Sequence, residues 1–145
     1  MTNVLWLLSV AVLGGVAIAL QAQMMGLLDR DLGTLESVCI TYGGGGLLIG
    51  LVMLAKRGGN LSAWQSVPWY ALLSGAVGLV IVGAIGYCVP RLGLVASFTV
   101  LIAAQFFAAA LLDHFGILGA VQRPLEPVRL VGLMVVLVGV WMVIR

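Results

Sequence analysis

Five long apolar runs, with the charged residues gathered between or beside them, constrain this chain more than any other feature. Each run is about 17 to 21 residues, enough to cross roughly 30 Å of hydrocarbon at 1.5 Å per residue. Hydrophobic residues make up 63% of the 145 and charged residues only 8%. A water-soluble domain of this size cannot hide that much apolar surface. The sequence therefore predicts an all-α membrane protein forming one domain over residues 1–145. Its five transmembrane helices are placed at about 3–22, 36–55, 68–88, 93–112 and 128–144.

The first run ends in small residues, Ala17, Ala19 and Ala22, as a secretory signal would. It lacks a basic leader, its apolar stretch is long, and further spans follow, so it reads as a helix that stays. Thr34 and Glu36 are placed to open helix 2, with Thr34 capping free N–H groups and Glu36 facing the positive end of the dipole. Helix 3 begins at Pro68, near Trp64, Trp69 and Tyr70 at the level of an aromatic belt. Val89-Pro90-Arg91 is expected to end it and to turn the chain straight back into an antiparallel helix 4. The longest connection, residues 113–127, has an apolar middle suited to the interface or to a dip back into the protein. Trp141 and the basic Arg129 and Arg145 anchor helix 5.

The net charge of +2 is small and scattered. It lacks the clustered basic face of a nucleic-acid binder. Lys56, Arg57, Arg123 and Arg129 fall on one side of the membrane, with the N-terminus. Arg30, Arg91 and Arg145 fall on the other. The positive-inside rule then favours a cytoplasmic N-terminus by a margin so narrow that insertion in both orientations is a working hypothesis. Cys39 and Cys88 lie in apolar runs and read as small hydrophobes. No cofactor or metal is expected: neither thiol has a ligand at metal spacing, and there is one His in the chain. No charged residue falls at the middle of a span, so a central-carboxylate proton antiport is unsupported. Enzymatic activity is not expected.

Candidate functional residues are the uncharged polar side chains inside the spans, because burying them in hydrocarbon is costly unless they are paired or face a wet cavity. Gln105, in FTVLIAAQFFAAALL, suits either a helix–helix hydrogen bond or a substrate. Gln21, close to an interface, suits either solvation or binding. Thr41 and Tyr42 offer hydroxyls to a cavity or sit as belt residues. Asp113 and His114 form the one adjacent acid and imidazole, readable as an interfacial cap or a proton-sensing pair. Five glycines in ten residues, Gly43, Gly44, Gly45, Gly46 and Gly50, make helix 2 either a hinge or a close-packing surface.

Several runs carry a family resemblance. Gln21-Ala22, Leu32-Gly33-Thr34, Thr41-Tyr42 with Gly45, Pro90-Arg91-Leu92-Gly93, Ala104-Gln105, Asp113-His114-Phe115-Gly116 and Arg123-Pro124-Leu125 with Arg129, Gly132 and Gly139 resemble the YdcZ-like family of bacterial inner-membrane exporters, in the drug/metabolite transporter superfamily. The resemblance runs the whole chain. It implies half of a ten-helix inverted-repeat architecture, completed by a second copy (possibly antiparallel) or a sister chain. It also implies export of a small metabolite or amphipathic compound by alternating access, with the substrate undefined. A non-transporting accessory subunit of a larger membrane complex is the competing reading. Two departures stand out: Met25 replaces the family's Asn, and Thr41-Tyr42 with four glycines replaces Ser-Phe with a single glycine.

Overall fold

A computed structural model describes residues 4–145. Among them the chain is all-α, with five helices long and apolar enough to cross a membrane. They are α1 (Val4–Leu32), α2 (Thr34–Ala55), α3 (Ser74–Leu92), α4 (Leu94–Phe115) and α5 (Pro127–Ile144). The five expected helices are present, and their ends differ from the expectation in informative ways. The chain divides into two compact units, up to Arg91 and from Leu92 onwards.

In the first unit, α1 continues past residue 22 to Leu32. At 29 residues it is roughly 43 Å long, longer than the ~30 Å hydrocarbon core, so its last turns reach interface depth. Gly33 then breaks the path. Its φ of 108° and ψ of 165° lie in a region open essentially to glycine alone, and α2 starts at the next residue. A Cβ on Gly33 would stand 2.8 Å from the Glu36 carboxylate. Thr34 does not cap α2 as expected. Its hydroxyl bonds the Asp29 carboxylate of α1 instead, because the tight glycine turn brings that acceptor within reach.

Two 3-10 segments, Leu61–Ser66 and Trp69–Leu73, lead into α3 and leave Trp64 and Trp69 exposed. Pro90 does not end α3, contrary to the sequence expectation. The helix runs through it to Leu92, since a proline in the last turn forfeits a single ladder bond and its ring packs 3.7 Å from where a Cβ of Gly26 would be.

Packing within this unit follows a row of small residues. A Cβ at Gly86 would be 3.3 Å from Met25 Cε and 3.8 Å from Ser37 Oγ; one at Gly83 would be 3.9 Å from Val38 Cγ2; one at Gly78 would overlap the Tyr42 hydroxyl. Read in order, α3 runs antiparallel to α2 and beside the end of α1. Met25, 2% exposed, is the largest fully buried side chain, and Ser37 Oγ donates to its carbonyl at 3.1 Å. Met25 thus puts an apolar side chain at the centre of the three-helix contact. Elsewhere large apolar side chains such as Leu5, Val80 and Leu54 are mostly exposed. That is the expected state where hydrocarbon rather than water is the solvent.

In the second unit α4 packs on α5. Gly93, φ 84° and ψ 160°, opens α4 as Gly33 opens α2. In each case a buried serine follows four residues on, Ser37 and Ser97. Gly116 ends α4 in the left-handed conformation, a short 3-10 turn follows, and the chain extends to Pro127 at the start of α5. The Arg145 guanidinium lies 4.3 Å from the Trp141 ring, an amphipathic pair fit for an interface.

Candidate functional site

The hairpin of α1 and α2 holds an open groove of about 420 Å³. Gln21, Met24, Met25 and Leu28 line it from α1, and Ile40 and Thr41 from α2. Two of the polar candidates therefore meet on one surface. Gln21 is exposed and Thr41 half-buried. The Thr41 hydroxyl donates to the Ser37 carbonyl at 2.8 Å, which leaves its oxygen free to accept. Such back-bonding to residue i−4 is how a hydroxyl is satisfied inside a helix. Ser9 and Thr99 do the same, at 2.9 Å and 2.8 Å. The chemistry available in the groove is a carboxamide donor and acceptor, a hydroxyl acceptor, and polarizable thioether and aliphatic walls.

Tyr42 is next to Thr41 in sequence and turns elsewhere. Its ring lies along α3 with the hydroxyl against Gly78. Gln105 is exposed on α4 in the second unit. Asp113 and His114 close α4. His114 Nδ1 accepts the Leu125 N–H at 3.1 Å, the Asp113 carbonyl accepts the Arg123 N–H at 2.7 Å, and Gln122 Nε2 donates to the His114 carbonyl at 3.4 Å. The imidazole also meets the Phe115 ring edge-on at 4.8 Å between centroids. Acceptance at Nδ1 fixes the neutral ring in its Nε2–H form here, and the pair fastens the returning loop to the helix end.

The glycine run lies in unbroken α-helix. At Gly43, Gly44, Gly45, Gly46 and Gly50 an added Cβ would meet nothing within 4 Å. No side chain of the described residues uses the space these glycines leave.

One group of residues escaped the sequence reading. Asp29 and Arg91 look like loop charges, yet both lie within helices. Asp29 is 8% exposed, and its Oδ2 accepts from Arg91 Nη1 at 2.9 Å. In the structure Ala22, Met25, Gly26 and Asp29 are all buried on α1, and the carboxylate continues that inward face; α1 is apolar on every side, so nothing in the sequence marks which face turns inward.

A family model described as "Putative inner membrane exporter, YdcZ" matches residues 6–142. No curated protein and no solved structure matches the chain. The match covers all five apolar helices and agrees with the motif resemblance from Gln21 to Gly139. The chain belongs to the YdcZ family of inner-membrane exporters and is a multi-pass protein of that membrane.

Proposed function

We propose that the protein exports a small neutral or weakly charged compound, a metabolite or an amphipathic molecule. The groove of Gln21 and Thr41 on the α1–α2 hairpin is its substrate-contacting surface. The observation that carries this reading is the convergence of those two polar side chains, from different helices, on an otherwise apolar groove. Binding sites for small molecules have that composition: mostly apolar walls with a few polar groups that fix orientation.

Five helices make a half-transporter, and two copies, or this chain with a sister, form the working unit. The near-balance of basic residues across the membrane is compatible with an antiparallel pair. The two copies alternate access to a midplane site, with the five helices of each acting as one domain. Tyr42, seated against Gly78, and Gln105, exposed on α4, are the remaining polar candidates, each within its own unit. The glycine run of α2 is its hinge or its contact with the second copy. Asp113 and His114 form a proton-sensitive fastening of the loop before α5, because an imidazole protonated at Nδ1 can no longer accept the Leu125 N–H.

Counterflow in proteoliposomes across a panel of neutral metabolites and amphipathic drugs tests the reading. Wild-type vesicles are expected to move at least one solute class faster than empty vesicles, and Gln21→Ala and Thr41→Val to reduce that flux about tenfold each, the scale of one lost polar contact. Flux equal to empty vesicles for every solute would return the protein to the accessory-subunit reading.

A further inference from the structure

The Asp29 carboxylate lies where three helices of the first unit meet. It stands on the last turns of α1, the Thr34 hydroxyl of α2 bonds its Oδ1, and Arg91 from the end of α3 bonds its Oδ2 at 2.9 Å. Among the described residues this is the one ion pair, with side chains 4% exposed for Asp29 and 47% for Arg91. Directly beneath it the helices touch through small residues: a Cβ on Gly26 would be 3.2 Å from Val89 Cγ1, and one on Gly86 3.3 Å from Met25 Cε.

Each partner also has a second contact on its own side of the pair. Arg91 Nη1 donates to the Tyr87 carbonyl at 2.7 Å, and its guanidinium lies 3.7 Å from the Tyr87 ring. Both contacts stay within α3 and travel with Arg91. The Thr34 bond stays within the α1–α2 hairpin and travels with Asp29. If α3 moves away, the carboxylate keeps a hydrogen bond and the cation keeps a carbonyl and an aromatic face. A buried charge stripped of every partner would make separation prohibitive. Here the separated state is furnished in advance, which is what a two-state element requires.

We infer that Asp29 and Arg91 form a reversible latch between the α1–α2 hairpin and the end of α3, on the membrane face away from the N-terminus. They are positioning residues for export. The latch reaches the groove through Met25, which packs against Gly86 of α3 on one side and lines the Gln21–Thr41 groove on the other. Opening the latch frees that wall to move. This inference rests on the export reading for its purpose, and its test does not depend on a substrate.

A thiol placed at the buried contact supplies the test. Val89 of α3 is 5% exposed and its Cγ1 faces Gly26 of α1, so Val89→Cys puts a thiol at the contact; the native Cys39, exposed, and Cys88, half-buried, are removed as Cys39→Ser and Cys88→Ser. Alkylation of the Val89→Cys thiol by N-ethylmaleimide in reconstituted protein then reports separation of α3. In the unsubstituted latch the rate is expected to depend weakly on SDS mole fraction below the unfolding transition, as local opening does. Arg91→Gln should raise that weakly dependent rate at least about tenfold, the class of effect seen when a charge-assisted bond is lost. Asp29→Asn should raise it less, because Asn still accepts from Thr34 and strands no buried charge. Arg91→Lys, which keeps the charge and loses the planar fork, should fall between wild type and Arg91→Gln. A wild-type rate in folded Arg91→Gln overturns the latch. If that variant does not fold, an unchanged rate in Arg91→Lys overturns it and a raised rate upholds it. A labelling rate that rises only in step with global unfolding makes the pair a permanent structural link and overturns it too. Absence of transport by the wild type would remove the export reading and leave the labelling result standing.

Discussion

Two sets of glycines occupy neighbouring helices of the first unit and do opposite things. On α3, Gly78, Gly83 and Gly86 face Tyr42, Val38 and Met25 with Ser37, and the space of the missing Cβ is filled by those side chains. On α2, Gly43 to Gly46 face nothing within 4 Å. In sequence the second set is the more conspicuous; in the fold the first holds the helices together. The difference teaches that glycine density does not mark an intramolecular contact. Small residues let helices approach in a membrane, but only where a partner surface is shaped to use the gap.

The largest expected effect is at Gly78. Gly78→Ala forces the Tyr42 hydroxyl out of its seat and should cost on the order of 1–3 kcal/mol, the range for overpacking, measured by reversible SDS unfolding. The next atom of that ring, Cζ, would be 3.4 Å away, an ordinary contact. Tyr42→Phe should therefore restore most of the loss in Gly78→Ala, and a double-mutant cycle without coupling would break the packing side of the comparison.

Gly26→Ala comes next. It meets Val89, whose β-branched side chain has little rotamer freedom, and should lose about 1–2 kcal/mol. Gly86→Ala meets the flexible end of Met25 and should lose less. Reversal of that order in the same unfolding assay would mean that the backbone, not the facing side chain, decides the cost.

Gly44→Ala sharpens the other half. With nothing to displace, it should leave folding intact or stabilise the helix by up to about 1 kcal/mol, visible as a raised unfolding midpoint. If the run is a hinge, export falls while assembly is unchanged. If it seats another copy, assembly measured by cross-linking falls first. A loss of monomer stability would contradict the open space around the run.

The smallest effect separates the two serines that follow the glycine turns. The Ser37 hydroxyl bonds the Met25 carbonyl, whereas Ser97 Oγ is buried with no hydrogen-bond partner among the described residues. Ser37→Ala should cost about 0.6 kcal/mol, the average for such bonds in membranes. Ser97→Ala should cost nothing or stabilise slightly, since a buried unpaired hydroxyl is itself unfavourable. Equal losses would show that the first turns of α2 and α4 use their serines alike.

Much of the fold was legible because the bilayer imposes it. An apolar run of sufficient length must form a helix when no water can satisfy its backbone, so the five helices could be read without any knowledge of packing. Their ends were not so readable. Its charge marked Asp29 as a loop residue and its ring marked Pro90 as a stop, but interface-depth turns tolerate a paired charge and a last turn tolerates a proline. The site was half legible. Gln21 and Thr41 were picked out as polar residues in apolar runs, and they do share a groove. Tyr42, chosen on the same grounds, turns to Gly78, because adjacent residues on a helix point about 100° apart.

The sequence alone determined that the chain spans the membrane five times, that its polar inventory is small, and that its motifs are those of an exporter family. Those follow from composition and order, which need only the solvent to be specified. The tertiary structure decided which glycines are filled, which polar residues converge, and that Asp29 and Arg91 are partners across 62 positions of chain. Such facts depend on which faces of separate helices meet, and no run of residues carries that information by itself.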